Sequence, residues 1–142
     1  MTTRDLWAGR LRTLKAMRDL CWARLLIRLV PFDRWRRTLG PAGSGAPGNA
    51  TPRDPLAEGR KLAAIVERAA WRLPLRTQCL PRAMVLSWML RGRGIGHAFV
   101  FAVRPAGLRD DDDALHAWVE IDRAKILGDL PGPWVETLRL DD

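Results

Sequence analysis

Two side chains in this sequence have the types and spacing to do covalent chemistry. Cys79 follows Thr77-Gln78 and opens the apolar run Leu80 to Leu90, and His116 lies near the start of Leu115-His116-Ala117-Trp118-Val119-Glu120. A thiol at the start of a helix sits where the helix dipole and unpaired backbone N–H groups favour thiolate, the nucleophilic form of sulfur. A histidine opening a strand has its ring at an end where it can meet a neighbouring helix terminus and serve as the base. The bland alternatives are a small buried cysteine and an ordinary core or surface histidine, and each residue taken alone favours them.

A thiol–imidazole pair needs a third group to fix the imidazole tautomer. If Asp122 and Arg123 form a two-residue turn, opposed residues of the hairpin have numbers summing to 245. His116 and Asp129 satisfy that sum, which predicts Cβ atoms about 4.5–5.5 Å apart. Asp122 reads as a turn former. Gln78 and the Cys79 backbone N–H are candidate oxyanion donors, although a glutamine before a helix is as often a solvated side chain. Trp118 shares the strand face of His116, either shielding the ring or packing in the core. His97 follows the Gly92 to Gly96 turn with no acid nearby and is assigned to structure or to a pocket rim.

The elements that must position these groups follow from periodicity. Residues 4–30 predict a helix on which Trp7, Leu11, Leu14, Met17 or Arg18, Cys21 and Leu25 recur at steps of three and four. Pro31 interrupts it, and Asp33 is expected to cap a short helix through Leu39. Residues 40–55 are rich in Gly, Pro, Ala and Ser and read as a flexible linker. Asp54-Pro55 opens a second helix, with Leu62, Ile65, Val66 and Ala69 turned to a core and Leu73-Pro74 ending it. The nucleophile helix runs from Cys79 to about Arg91, with Ala83, Leu86, Met89 and Leu90 as its buried stripe; Pro81 fits because a first turn needs no N–H donors there. Strands are expected at Ile95 to Val103, buried on both faces, then at Leu115 to Ile121 and Ile126 to Asp129, after a polar loop carrying Asp110 to Asp113. Helices followed by an antiparallel meander make an α+β fold. The expected division is a basic helical segment over 1–39, a linker over 40–55 and a catalytic domain over 56–142.

Composition narrows the class. The chain has 142 residues, 47% apolar and 28% charged, enough for one modest domain with an accessory helix. Cys21 and Cys79 form no CxxC pair, so neither a disulfide framework nor a zinc site is expected, and a reducing cytoplasm fits. No cofactor is expected. Uninterrupted apolar runs are too short to span a membrane, and arginines throughout the N-terminal stretch do not fit a signal peptide. Residues 1–40 carry ten Lys/Arg against three acids, whereas residues 104–142 carry five against ten. That asymmetry points to an acidic partner for the N-terminal half. The high basicity permits nucleic-acid binding, but no motif supports it. For the N-terminal helix, packing or partner docking is favoured over contact with an anionic membrane.

Cys79-Leu80-Pro81-Arg82-Ala83, the helix ending Arg91-Gly92-Arg93-Gly94-Ile95, and His116-Ala117-Trp118-Val119-Glu120 resemble the transglutaminase-like cysteine peptidases of lasso-peptide biosynthesis. The resemblance covers roughly residues 55–142 and implies a transglutaminase-like, papain-like core. It implies Cys79 as nucleophile, His116 as base and Asp129 as the acid, although Asp122-Arg123-Ala124-Lys125 replaces the family's Asp-Gly turn and leaves the acid's position open by one residue. The implied activity is removal of the leader from a ribosomally made precursor peptide before an ATP-dependent cyclase closes the ring. Residues 1–50 are helical and not winged-helix-like, which implies the split form, served by a separate leader-recognition protein. Another thiol acyl-transfer enzyme of the superfamily, an amidase or transglutaminase, and a non-catalytic basic adaptor of the same fold are the alternatives.

Overall fold

The computed structural model describes residues 2–40, 52–74, 78–108 and 115–140. Most of the expected linker, Thr77 and the Asp110 to Asp113 run lie outside the described residues.

Helix α1 (Thr3–Leu29) starts where the Asp5 carboxylate accepts the Thr2 hydroxyl and then its backbone N–H, which together hold that carboxyl below its usual range. It ends because Val30 precedes a proline and is driven extended. Helix α2 (Phe32–Trp35) and a 3₁₀ turn over Arg36–Thr38 follow. Pro31, not Asp33, precedes α2; Asp33 lies in its first turn and pairs with Arg36 at 3.3 Å. Helix α3 (Pro55–Arg72) begins as its sequence dictates, with Asp54 accepting the Ala57 N–H at 3.0 Å and Pro55 in the first turn. Helix α4 (Cys79–Gly92) carries the segment after α2 along one side: Trp88 Nε1 donates to Thr38 Oγ1, and Arg91 donates to the Arg37 and Leu39 carbonyls.

Strands β1 (Ala98–Val103), β2 (Leu115–Ile121), β3 (Ala124–Leu127) and β4 (Val135–Leu140) form one antiparallel sheet in the order β3-β2-β1-β4. β1 starts three residues later than expected. β4 was not expected at all: it is an edge strand of mostly exposed residues, paired with β1 rather than with β3. Residues 128–134 therefore cross from one edge of the sheet to the other, passing the end where β2 starts and β1 finishes.

Helices and sheet are joined by a single dry core. Leu20 and Ala23 of α1, Leu62, Val66 and Ala69 of α3, and Ala83, Met84, Leu86 and Leu90 of α4 pack with Phe99, Ala117, Val119, Ile121 and Leu127. The opposite side of the sheet carries a smaller cluster, Ala98, Val100, Ala102 and Trp118, with Trp134 against it. The fold is α+β with a helical layer on a small antiparallel sheet, a papain-like core.

The side of helix α1 that is buried is not the one carrying its apolar repeat. Its buried residues are Thr13, Ala16, Leu20 and Ala23, while the apolar repeat Trp7, Leu11, Leu14, Leu25 is exposed. Both sides of the helix carry apolar side chains, and the smaller ones fit the close approach to α3 and α4.

Candidate active site

The first turn of α4 places Cys79 half-buried, as a free thiol, at the first helical position. Gln78 is the N-cap residue; its side chain is exposed and makes no capping hydrogen bond. Pro81 contributes no N–H, so the backbone donors at this helix end lie around Cys79 and Leu80. Arg82 of the same motif is structural, its guanidinium meeting Glu67 of α3 at 3.0 Å. A groove of about 270 Å³ beside this helix end is lined by Gln78, Leu80 and Pro81 and, from α1, Arg24, Ile27 and Arg28. A larger one, about 330 Å³, lies towards the other end of α4 at Trp88, Met89 and Gly92, away from the thiol.

His116 stands at the start of β2. Helix α4 packs on β2, and its last residue leads within a few positions to Ala98, which faces Glu120 at the far end of β2. Cys79 and His116 thus occupy the same end of the α4–β2 layer. No hydrogen bond joins them, and among the described residues Cys79 Sγ makes none. Alternation explains why. Ala117 and Val119 face α4, so His116 shares the opposite face with Trp118 and Glu120.

On that face the imidazole is only 4% exposed. Its Nε2 donates to the Gly128 carbonyl, which fixes the neutral tautomer with its lone pair on Nδ1. Trp134, at the end of the crossing segment, lies 4.9 Å from the imidazole by ring centroids, and Trp118 lies 5.8 Å away on the other side. Arg104 over Trp134 at 4.4 Å and Lys125 over Trp118 at 4.3 Å complete a row of cations and mutually tilted rings.

The expected opposition of His116 and Asp129 is not formed, and the reason is local. The turn is the two-residue one anticipated: Asp122 and Arg123 both have positive φ (50° and 65°), and Ile121↔Ala124 and Glu120↔Lys125 obey the sum of 245. A β-bulge then makes Leu127, not Ile126, the partner of Val119. The bulge lets the consecutive apolar residues Ile126 and Leu127 both pack towards the helices, which strict alternation forbids. The ladder ends at Leu127, and Asp129 lies beyond it, exposed and without a hydrogen bond or ion pair among the described residues. Gly128 takes the adjacent position with φ +82°, and a Cβ there would sit 2.8 Å from the Ala117 carbonyl oxygen. Only glycine fits this approach of the two chains.

Glu120 has a role that sequence reasoning did not assign. Trp118 Nε1 donates to its Oε1 at 2.7 Å and Arg139 to its Oε2 at 2.9 Å, so the buried carboxylate is satisfied on both oxygens. Glu136 and then Glu120 hold the Arg139 guanidinium well above its ordinary range. The shared parity of residues 116, 118 and 120 was the available signal. Nothing in the sequence marked Trp134, because its contact depends on the unforeseen β4. His97 is buried, with Nδ1 donating to the Ile95 carbonyl at 2.9 Å and Nε2 accepting from Ser87 Oγ at 2.7 Å. Ser87 Oγ also receives the Gly40 N–H at 3.0 Å, so Ser87 ties α4 to the segments of Gly40 and His97.

The sequence model of the Transglutaminase-like superfamily matches residues 26–136, most of the chain. The chain belongs to this superfamily. Transglutaminase-like proteins are in general cysteine-based enzymes, and the matched stretch contains Cys79, His116 and the last turn of α1. No curated protein and no solved structure matches the chain. No described helix is long and apolar enough to cross a membrane.

Proposed function

We propose that this transglutaminase-like protein is a cysteine peptidase that removes the leader from a ribosomally made lasso-peptide precursor, acting in the cytoplasm with a separate leader-recognition protein and upstream of an ATP-dependent cyclase. What supports this reading is the superfamily match, together with Cys79 at the first position of α4 and His116 near the start of β2, the strand on which α4 packs. The CLPRA and HAWVE segments supply the finer assignment by resemblance.

His116 takes the proton of the Cys79 thiol, and the thiolate attacks the carbonyl carbon at the leader–core junction, forming a carbon–sulfur bond. In this reading the Cys79 backbone N–H and the Gln78 side-chain amide donate to the developing oxyanion. The carbon–nitrogen bond then breaks, and the His116 imidazolium gives its proton to the leaving amine. Water, deprotonated by His116, hydrolyses the leader thioester. Nδ1 is the basic nitrogen, because Nε2 carries the proton donated to Gly128. Catalysis requires Nδ1 to reach Sγ around the start of β2 when the peptide is bound, because the ring lies on the sheet face turned away from α4. Asp129 is the acid of this proposal, one residue past the carbonyl that holds the ring.

Mass spectrometry of precursor peptide incubated with the protein, with and without the recognition protein, tests the reading. Cleavage at one junction is expected, and Cys79→Ala should abolish it while preserving the circular dichroism spectrum. Retained cleavage by purified Cys79→Ala protein eliminates the mechanism. Incorporation of an added amine in place of hydrolysis would assign the chain to acyl transfer instead, and slow reaction of Cys79 with an electrophilic thiol probe would favour the adaptor reading. Asp129→Asn and Asp129→Ala distinguish the acid from the Gly128 carbonyl: unchanged turnover in both leaves the carbonyl as the orienting group.

A further inference from the structure

Trp7, Leu11, Leu14, Trp22, Leu25 and Leu29 of α1 are each between 45% and 72% exposed. Steps of three and four, passing through position 18, put them on one line along the helix. At 1.5 Å per residue that line runs about 33 Å. It lies opposite the buried residues Thr13, Ala16, Leu20 and Ala23, so folding the chain leaves it uncovered.

The frame of this stripe has one sign. Arg4 and Lys15 flank it on one side and Arg10 and Arg28 on the other, all exposed. Arg18 falls on the line itself, but its guanidinium is drawn aside to Asp19 at 2.9 Å. The two acids of α1 lie off the stripe and are already engaged, Asp5 with Thr2 and Asp19 with Arg18. Arg10 lies over the Trp7 ring at 5.6 Å, keeping a cation at the edge of the apolar surface.

We propose that α1 is an interfacial helix that lays this stripe on a bilayer carrying anionic head groups. Charge complementarity selects the occupant. A second copy of the chain would bring the same positive frame against itself. Its apolar side chains carry no hydrogen-bonding group beyond the indole N–H, and they extend over about six helical turns, which suits a continuous apolar boundary. Leucines enter the acyl boundary, indoles sit at head-group depth, and the flanking Arg and Lys reach anionic head groups. The helix is too charged to span, so it lies in the surface. This inference does not depend on the peptidase reading.

Co-sedimentation of the full chain with vesicles tests it. Binding to vesicles of equal parts phosphatidylcholine and phosphatidylglycerol should exceed binding to phosphatidylcholine alone by about tenfold or more, and should weaken with added salt. The triple variant Leu11→Ser, Leu14→Ser, Leu25→Ser should lose vesicle binding at an unchanged unfolding midpoint, because none of the three is in the core. The variant Arg4→Gln, Lys15→Gln, Arg28→Gln, which leaves the stripe intact, should lose only the preference for phosphatidylglycerol, and it decides the matter if the serine variant does not fold. Absence of binding to anionic vesicles overturns the proposal, as does equal binding by both variants and wild type. A dimer that the serine variant dissociates, without vesicle binding, would assign the stripe to a second copy. Loss of affinity for the recognition protein alone would assign it to that partner.

Discussion

The face of the sheet turned to the helices carries Phe99, Ala117, Val119, Ile121 and Leu127, whereas the other face carries His116, Trp118, Glu120 and Lys125 on the same or neighbouring strands. The first face is held by apolar contact, which is non-directional and fixes shape. The second is held by directed bonds in which each buried polar group has a named partner. Both faces are drawn from one strand by alternation, so β2 contributes to the core and to the chemistry with successive residues. Stability and reactivity should therefore separate by parity along this strand and its neighbours.

Three substitutions test that separation, and activity per folded molecule is the readout that tells the faces apart. Phe99 is fully buried among the helices, so Phe99→Ala should cost about 3–5 kcal/mol in urea unfolding. Its remaining folded fraction should cleave at the parent rate; a large fall in specific activity would mean the faces are coupled. Gly128→Ala meets both a positive φ and the Ala117 carbonyl, at a cost of about 1–3 kcal/mol. Because that residue's carbonyl holds the imidazole, turnover should fall beyond the loss of folded protein, seen in single-turnover cleavage under stabilising conditions. Glu120→Gln keeps an acceptor for Trp118 but removes the charge opposite Arg139, whose side chain is 34% exposed. A loss of about 1 kcal/mol is expected, reduced by that exposure. No change in either stability or turnover would show that the Glu120 network is dispensable.

Much of the framework was readable because local chemistry and tertiary environment agree. Asp54-Pro55 capped α3, Pro31 followed the end of α1, and Leu115 to Ile121 formed β2 with the expected boundaries. The hairpin turn was also legible, but the bulge after it was not. That Ile126 and Leu127 both face the helices is decided by packing against them, and the bulge this requires moved the histidine's acceptor from a carboxylate to a main-chain oxygen. β4 escaped because Val135, Glu136 and Thr137 are exposed at an edge and show no apolar alternation. Periodicity found the apolar repeat of α1 but did not say which side is buried, since small residues can bury closely while larger ones remain outside.

The stretch from Gly128 to Trp134 begins at the oxygen that grips the imidazole and ends at the indole that roofs it. Its span is set by the distance between the two rims it joins. Single side-chain swaps within it alter one grip at a time, but inserting or deleting one residue would disturb both together. Homologous chains that keep the same chemistry should consequently vary in the spelling of this stretch far more than in its length.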